Sequence, residues 1–143
     1  MAAAKPGENV RIKFTLAAED IQKGYVICSS LSPCPAVVEI KVQLALVDMP
    51  DSRPLFSPGY DGVMHIHTVE IEVTCTQLVG VLVEGGKIMR RPFARQGQQC
   101  IAILTMPIST CMETYAAVAS MGRLTIRDEG KSVAIGKVIE LIR

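Results

Sequence analysis

The chain has 143 residues, a size that fits one domain or one domain plus a fragment of another. Its formal net charge of +1 gives no general pull toward nucleic acid or anionic lipid, and no apolar run approaches the roughly 18 residues a bilayer span needs. Hydrophobic residues make up 49 % with aromatics at 4 % and no Trp, so any core is built from Val, Ile, Leu, Ala and Met.

Residues 1–5 read as a leader to which no structure is assigned. Val10, Ile12, Phe14 and Leu16 alternate with Arg11, Lys13 and Thr15, which predicts a half-buried strand. Glu19 to Lys23 reads as a turn or a single helical turn closed by Gly24, and Tyr25 to Cys28 as a short apolar strand. Ser29 to Pro35 carries two prolines and three serines and reads as a linker or domain boundary. Val38, Ile40, Val42, Leu44 and Leu46 then form the longest clean alternation in the chain. Asp48 to Gly59 holds Pro50, Pro54 and Pro58 and is a loop. Strands follow at Val63–His67, Val69–Cys75 and Leu78–Val83, the last ending at a Gly85-Gly86 hairpin signal. Gln99–Met106 is a further strand and Thr114–Ser120 the one short helix. Met121 to Ile142 closes the chain as a hairpin with a three-residue loop, Asp128-Glu129-Gly130. Many short strands with little helical periodicity predict an all-β fold, and closure into a barrel removes exposed edges.

Four groups of residues invite a chemical reading. Gly130-Lys131-Ser132 resembles the end of a phosphate-binding loop, but the nearest upstream glycine, Gly122, is too far back and a strand-like run follows. His65 and His67 share a strand face and could supply two metal ligands, yet no third or fourth ligand stands at recognisable spacing, so no metal site is expected. Lys87, Arg90, Arg91 and Arg95 form a basic run that reads as an RNA-phosphate contact or a solvated loop, with the loop favoured for want of a stacking platform. Arg123, Thr125 and Arg127 share one face ending at Asp128; they suit either carboxylate recognition on a partner or a surface ion-pair ladder. The five cysteines are an odd set without C-x-x-C spacing and fit a reduced, cytoplasmic protein. No nucleophile–base arrangement is visible.

Gly122-Arg123-Leu124-Thr125-Ile126-Arg127-Asp128, with Glu129-Gly130-Lys131 and Gly136-Lys137-Val138 after it, closely resembles a signature in the third domain of elongation factor Tu-type translational GTPases. The Arg-Asp-Glu-Gly-Lys variant and His65-Ile66-His67-Thr68 resemble the eukaryotic class-II peptide chain release factors among them. The likeness runs from Pro6 to Arg143; Leu124 and Ile126 stand where the family favours Phe and Leu.

It implies a Greek-key-like β-barrel, the third domain, over residues 31–143. Residues 6–30 would be the terminal strands of a second barrel, the tail of domain 2. Nucleotide chemistry, with GTP and Mg²⁺, would belong to an N-terminal G domain of the parent protein, so this chain is expected to have no cofactor and no catalysis of its own. The implied partner is the C-terminal domain of a class-I peptide chain release factor, met at the ribosome and not at a membrane. The residues carried over as partner-binding are Gly122, Arg123, Leu124, Thr125, Ile126, Arg127 and Asp128, with Leu124 and Ile126 as core support. A ribosome-rescue GTPase with a Pelota-type partner, or an elongation factor contacting aminoacyl-tRNA, remains the alternative.

Overall fold

The computed structural model describes residues 3–143; Met1 and Ala2, part of the expected leader, lie outside the described residues. Nine strands are present: β1 Ala36–Leu46, β2 Leu55–Phe56, β3 Asp61–Ile66, β4 Val69–Val83, β5 Lys87–Met89, β6 Ala94–Arg95, β7 Gln99–Cys111, β8 Arg123–Asp128 and β9 Lys131–Leu141. The one α-helix, α1, is the single turn Ala119–Gly122. Six strands run in the order β3-β8-β9-β1-β7-β4, and a β3–β4 pairing closes the ring into an antiparallel barrel. Strands β3, β4 and β7 lie side by side in sequence order and β1 returns to lie beside β7, which is a Greek key. Closure pairs the six barrel strands on both sides and leaves the short β5 as the edge of that sheet.

Alternation drives this architecture. Ile40, Val42, Leu44 and Leu46 of β1 meet Met64, Ile66, Val73, Leu104, Leu124, Ile126 and Val138 in a core almost free of solvent. Where the barrel must curve, the strands carry bulges. Val69–Cys75 and Leu78–Val83, expected as separate strands, are one 15-residue strand whose register with β7 shifts at Cys75/Gln77 and at Leu78/Gly80. Strand β7 likewise runs past its expected end, through Pro107. The prolyl residue sits in an irregularity where β1 passes from partner Thr110 at Val37 to partner Thr105 at Glu39, so its missing N–H interrupts no ladder.

Four further expectations are corrected. Val10–Leu16 and Tyr25–Cys28 form no strand; Val10, Ile12, Phe14, Leu16, Tyr25 and Ile27 are exposed. An alternating segment becomes a strand only when a neighbour supplies ladder bonds and an apolar surface, and no described strand pairs with these two segments. Thr114–Ser120 is mostly turn, because Val118 is extended and the helical turn begins only at Ala119. The final hairpin has a two-residue loop, Glu129-Gly130, with φ of +50° and +76°. Two successive positive φ values match the right-handed twist of the flanking strands.

Cys75 and Cys100 are buried in the core, and burial pushes their thiols up to about 11 and about 12 from an ordinary 9.0. Between those values and pH 9 the folded state keeps protons that the unfolded chain releases. The contribution of these two thiols to stability is therefore constant below about pH 9 and falls above it, by up to about 1.4 kcal/mol per pH unit per thiol. Urea melts at pH 8 and pH 10.5 are expected to show a lower midpoint at the higher pH, and Cys75→Ala with Cys100→Ala is expected to flatten the difference.

Candidate partner-docking face

The signature strand β8 lies between β3 and β9, with Ile66 opposite Leu124 on one side and Gly136 opposite Leu124 on the other. Leu124 and Ile126 are 2 % and 1 % exposed and form part of the core. Arg123 and Arg127 are exposed and Thr125 half-buried, so these three share the outer face.

Gly122 is buried, and a Cβ there would overlap the backbone nitrogen of Tyr115. Glycine thus lets the 114–115 segment lie flat against the start of β8, where the Tyr115 N–H donates to the Val138 carbonyl at 2.8 Å. The consequence is that the Tyr115 ring stands over β8 and β9. The Arg123 guanidinium lies 5.9 Å from its centroid and the Lys137 ammonium 5.4 Å. Arg123 and Lys137 are direct cross-strand partners. Like charges placed opposite each other repel, and cation–π contact with one shared ring offsets part of that cost. Neither side chain forms an ion pair among the described residues.

These groups border a groove of about 440 Å³. Its floor is Leu44, Leu124 and Gly136; its walls are Tyr115, Arg123, Thr125, Ile135 and Lys137, with Gln43 and Gln99 at one side joined by a 3.2 Å hydrogen bond. Ile135 is 49 % exposed at its centre. The face therefore offers an apolar contact and an aromatic ring between two unneutralised cations, a combination suited to a protein segment that brings a carboxylate beside an apolar side chain.

The remaining signature residues lie elsewhere. Arg127 donates to the Gly130 carbonyl at 3.0 Å and belongs to the hairpin turn. Asp128 faces inward: it accepts from the Tyr60 hydroxyl at 2.8 Å and from Arg53 Nη1 at 3.5 Å. Arg53 also pairs with Asp61 at 2.8 Å and stacks 4.1 Å above the Tyr60 ring. Burial first, then the bond to Asp128, holds the Tyr60 phenol well above its ordinary value. Asp128 thus pins the proline-rich 48–60 loop to the barrel. Asp128→Ala is expected to lower stability by about 1–3 kcal/mol, the cost of leaving the half-buried Tyr60 hydroxyl without its acceptor, while leaving the groove intact; a denaturant melt run beside a docking assay checks both halves.

Two further candidates are Gly130-Lys131-Ser132 and the histidine pair. Lys131 and Ser132 begin β9, and the Lys131 ammonium lies 3.8 Å from Asp48, so Gly130-Lys131-Ser132 does not fit a nucleotide phosphate. Strand β3 ends at Ile66, and His67 turns away at φ +39° with its Nε2 2.7 Å from the Cys111 carbonyl oxygen. His65 faces Glu70 at 3.8 Å. Among the described residues no group of three or more His, Cys, Asp or Glu is placed to hold a metal ion, and no helix is long and apolar enough to cross a membrane.

The chain is a closed Greek-key barrel with a cation-flanked groove on its outer wall. The family described as GTP-eEF1A C-terminal domain-like matches residues 39–139, and the chain belongs to that family. Among curated relatives, the eukaryotic peptide chain release factor GTP-binding subunit of Debaryomyces hansenii is 38 % identical over 144 residues, covering 98 % of this chain and 20 % of the relative. The subunit of the same description from Ogataea pini is 38 % identical, covering 95 % of this chain and 18 % of the relative. The chain thus spans about a fifth of the length of these relatives. Among solved structures, Sup35 complexed with GDP superposes with a TM-score of 0.80 at 35 % identity, over 87 % of this chain and 30 % of that one. Sup35 complexed with GMPPNP gives 0.79 at 36 % identity, with the same coverage.

Proposed function

We propose that this barrel is the partner-docking module of a translation termination GTPase, holding the C-terminal domain of a class-I peptide chain release factor during stop-codon-dependent peptide release at the ribosome in the cytoplasm. The observation that carries the reading is the Arg123–Lys137 pair, two cations held opposite each other around the exposed Tyr115 ring without an ion-pair partner among the described residues. A fold tolerates such repulsion at low cost if a partner's carboxylate relieves it on docking, and Ile135 beside it supplies the apolar contact that such a carboxylate's neighbours need. The release-factor description of the relatives supports termination over rescue or tRNA delivery. Guanine nucleotide and Mg²⁺ would be the business of the G domain of the parent protein. Residues 6–30, with their exposed alternating face, would complete a second barrel with chain that precedes them.

Isothermal calorimetry of the 143-residue chain against a class-I release factor C-terminal domain tests this. Micromolar or tighter binding is expected, as ordinary specific interfaces of this kind reach about −8 kcal/mol. No heat at tens of micromolar from two folded proteins would sink the proposal.

A further inference from the structure

The barrel carries a second charged surface, distant in sequence from the groove. Strand β4 passes into β5 through Glu84–Gly86, where Gly85 and Gly86 take φ of +82° and +75°. Strand β5 then folds back with Val81 opposite Met89 and Val83 opposite Lys87. It lies hard against β4: a Cβ on Gly80 would overlap the Ile88 side chain and sit 2.9 Å from the Met89 carbonyl oxygen. The β4–β5 ribbon is thus a built element of the sheet; Arg90 and Arg91 follow it outside any strand, and Arg95 stands on β6, which pairs with β2. Lys87, Arg90, Arg91 and, on β6, Arg95 are all exposed, and none has an ion-pair partner among the described residues. Between residues 84 and 98 the four cations face one carboxylate, Glu84, in a chain whose net charge is only +1. Positive charge is therefore concentrated here while the rest of the molecule is net negative.

One lysine would be enough to protect a three-residue edge strand from pairing with another chain. Three arginines beyond it need another account. The guanidinium fork matches phosphate oxygens two at a time. Phe93 is half-buried and its ring is taken up by the Arg95 guanidinium at 5.3 Å, so it is no open platform for a base. Gln98 Oε1 accepts from the Arg95 N–H at 2.8 Å and fixes the turn that presents this arginine. Cations without a free stacking face read backbone charge and not sequence.

We infer that the β4–β5 ribbon, with the segment from Arg90 to Arg95 that follows it, is a contact site for RNA backbone phosphates, independent of base sequence and separate from the groove at Tyr115. The choice of RNA as the polyanion rests on the translation reading above; the excess of cations does not.

The test is fluorescence anisotropy of a labelled RNA duplex of about 20 base pairs, titrated with the 143-residue chain across roughly 50–200 mM KCl. Binding is expected to weaken with salt at a log–log slope of about −3 to −4, as four neutralised phosphates require, with equal affinity for a shuffled duplex. The variant carrying Lys87→Ala, Arg90→Ala, Arg91→Ala and Arg95→Ala is expected to bind at least tenfold more weakly with a slope near zero, at an unchanged melting temperature. The outcome that overturns the inference is a wild-type chain that fails to bind at the lowest salt, or a quadruple variant that binds as the wild type does. Polyglutamate competing as well as RNA at equal charge would overturn it too, by giving the ribbon to acidic protein. Release-factor docking is measured on the same variant: its presence or absence reports on the groove alone, so the two readings fail separately.

Discussion

Arg123→Glu alone is expected to weaken release-factor docking at least about 30-fold while leaving the barrel as stable as before, or slightly more so. The opposite signs of these two effects come from one register fact: Arg123 and Lys137 are direct cross-strand partners. In the wild type they repel; with glutamate at 123 they become an opposite-charge pair, worth about 0.2–1 kcal/mol to a sheet. Loss of one cation–π contact to Tyr115 offsets about 0.5–1 kcal/mol of that. For a partner the change has one sign only. A carboxylate drawn to the groove now meets a carboxylate, and removing one member of a buried charge pair typically costs about 2–5 kcal/mol, which is 30-fold to several thousand-fold in affinity on the scale of roughly 1.4 kcal/mol per tenfold. The double variant with Lys137→Glu restores the like-charge pair with its sign reversed, so it is expected to abolish detectable docking with a melting temperature within a few degrees of wild type. Calorimetry and a thermal melt on the three proteins give the result. Unchanged affinity in the double variant would mean that the two cations are surface charge and that docking uses another face.

Much of the barrel was legible because its strands obey the period of two. Strand β1 alternates over its whole length, and the same signal placed Leu124 and Ile126 in the core and Arg123, Thr125 and Arg127 outside. The groove was not legible, and the reason is a single residue. Counting back from the Glu129-Gly130 turn without interruption puts Gly136 opposite Arg123 and sends Lys137 toward the core. The register shift at Ile126/Arg127 leaves Val133 unpaired, and both Val133 and Ala134 are buried, so every later residue of β9 changes face. Two consecutive buried residues in an otherwise alternating run, Val133-Ala134, were the available signal. Tyr115 was hidden differently: it reaches the groove because Gly122 accepts close backbone contact, a tertiary event that periodicity does not record. Val10–Leu16 shows the converse, since a perfect alternation remains exposed where no neighbouring strand is present to pair with it.

The glycine at the floor of the groove should prove the most sensitive position in the barrel. Gly136 sits in β9 between Leu124 of β8 and Leu44 of β1. A Cβ there would overlap the Gln43 carbonyl oxygen and stand 2.8 Å from Leu44 Cδ2. A side chain could turn aside, but a carbonyl inside the ladder cannot move without carrying β1 with it, and β1 is paired on its other edge to β7. Gly136→Ala must therefore open the β1–β9 seam or strain it. Overpacking a rigid core costs about 1–3 kcal/mol and more where the backbone itself is the obstacle, so a loss of about 3 kcal/mol or more is expected, roughly 10 °C in melting temperature for a domain of this size. Gly85→Ala is the matched comparison. Its φ of +82° makes alanine strained, yet nothing lies within 4 Å of the added carbon, and the cost should stay near the 1–2 kcal/mol of a left-handed residue. If the two variants melt together, the β1–β9 seam yields to a Cβ and close approach is not what requires glycine at 136. If Gly136→Ala melts far lower, the flat floor that Tyr115, Arg123 and Lys137 surround exists because β9 and β1 approach each other too closely for any side chain between them.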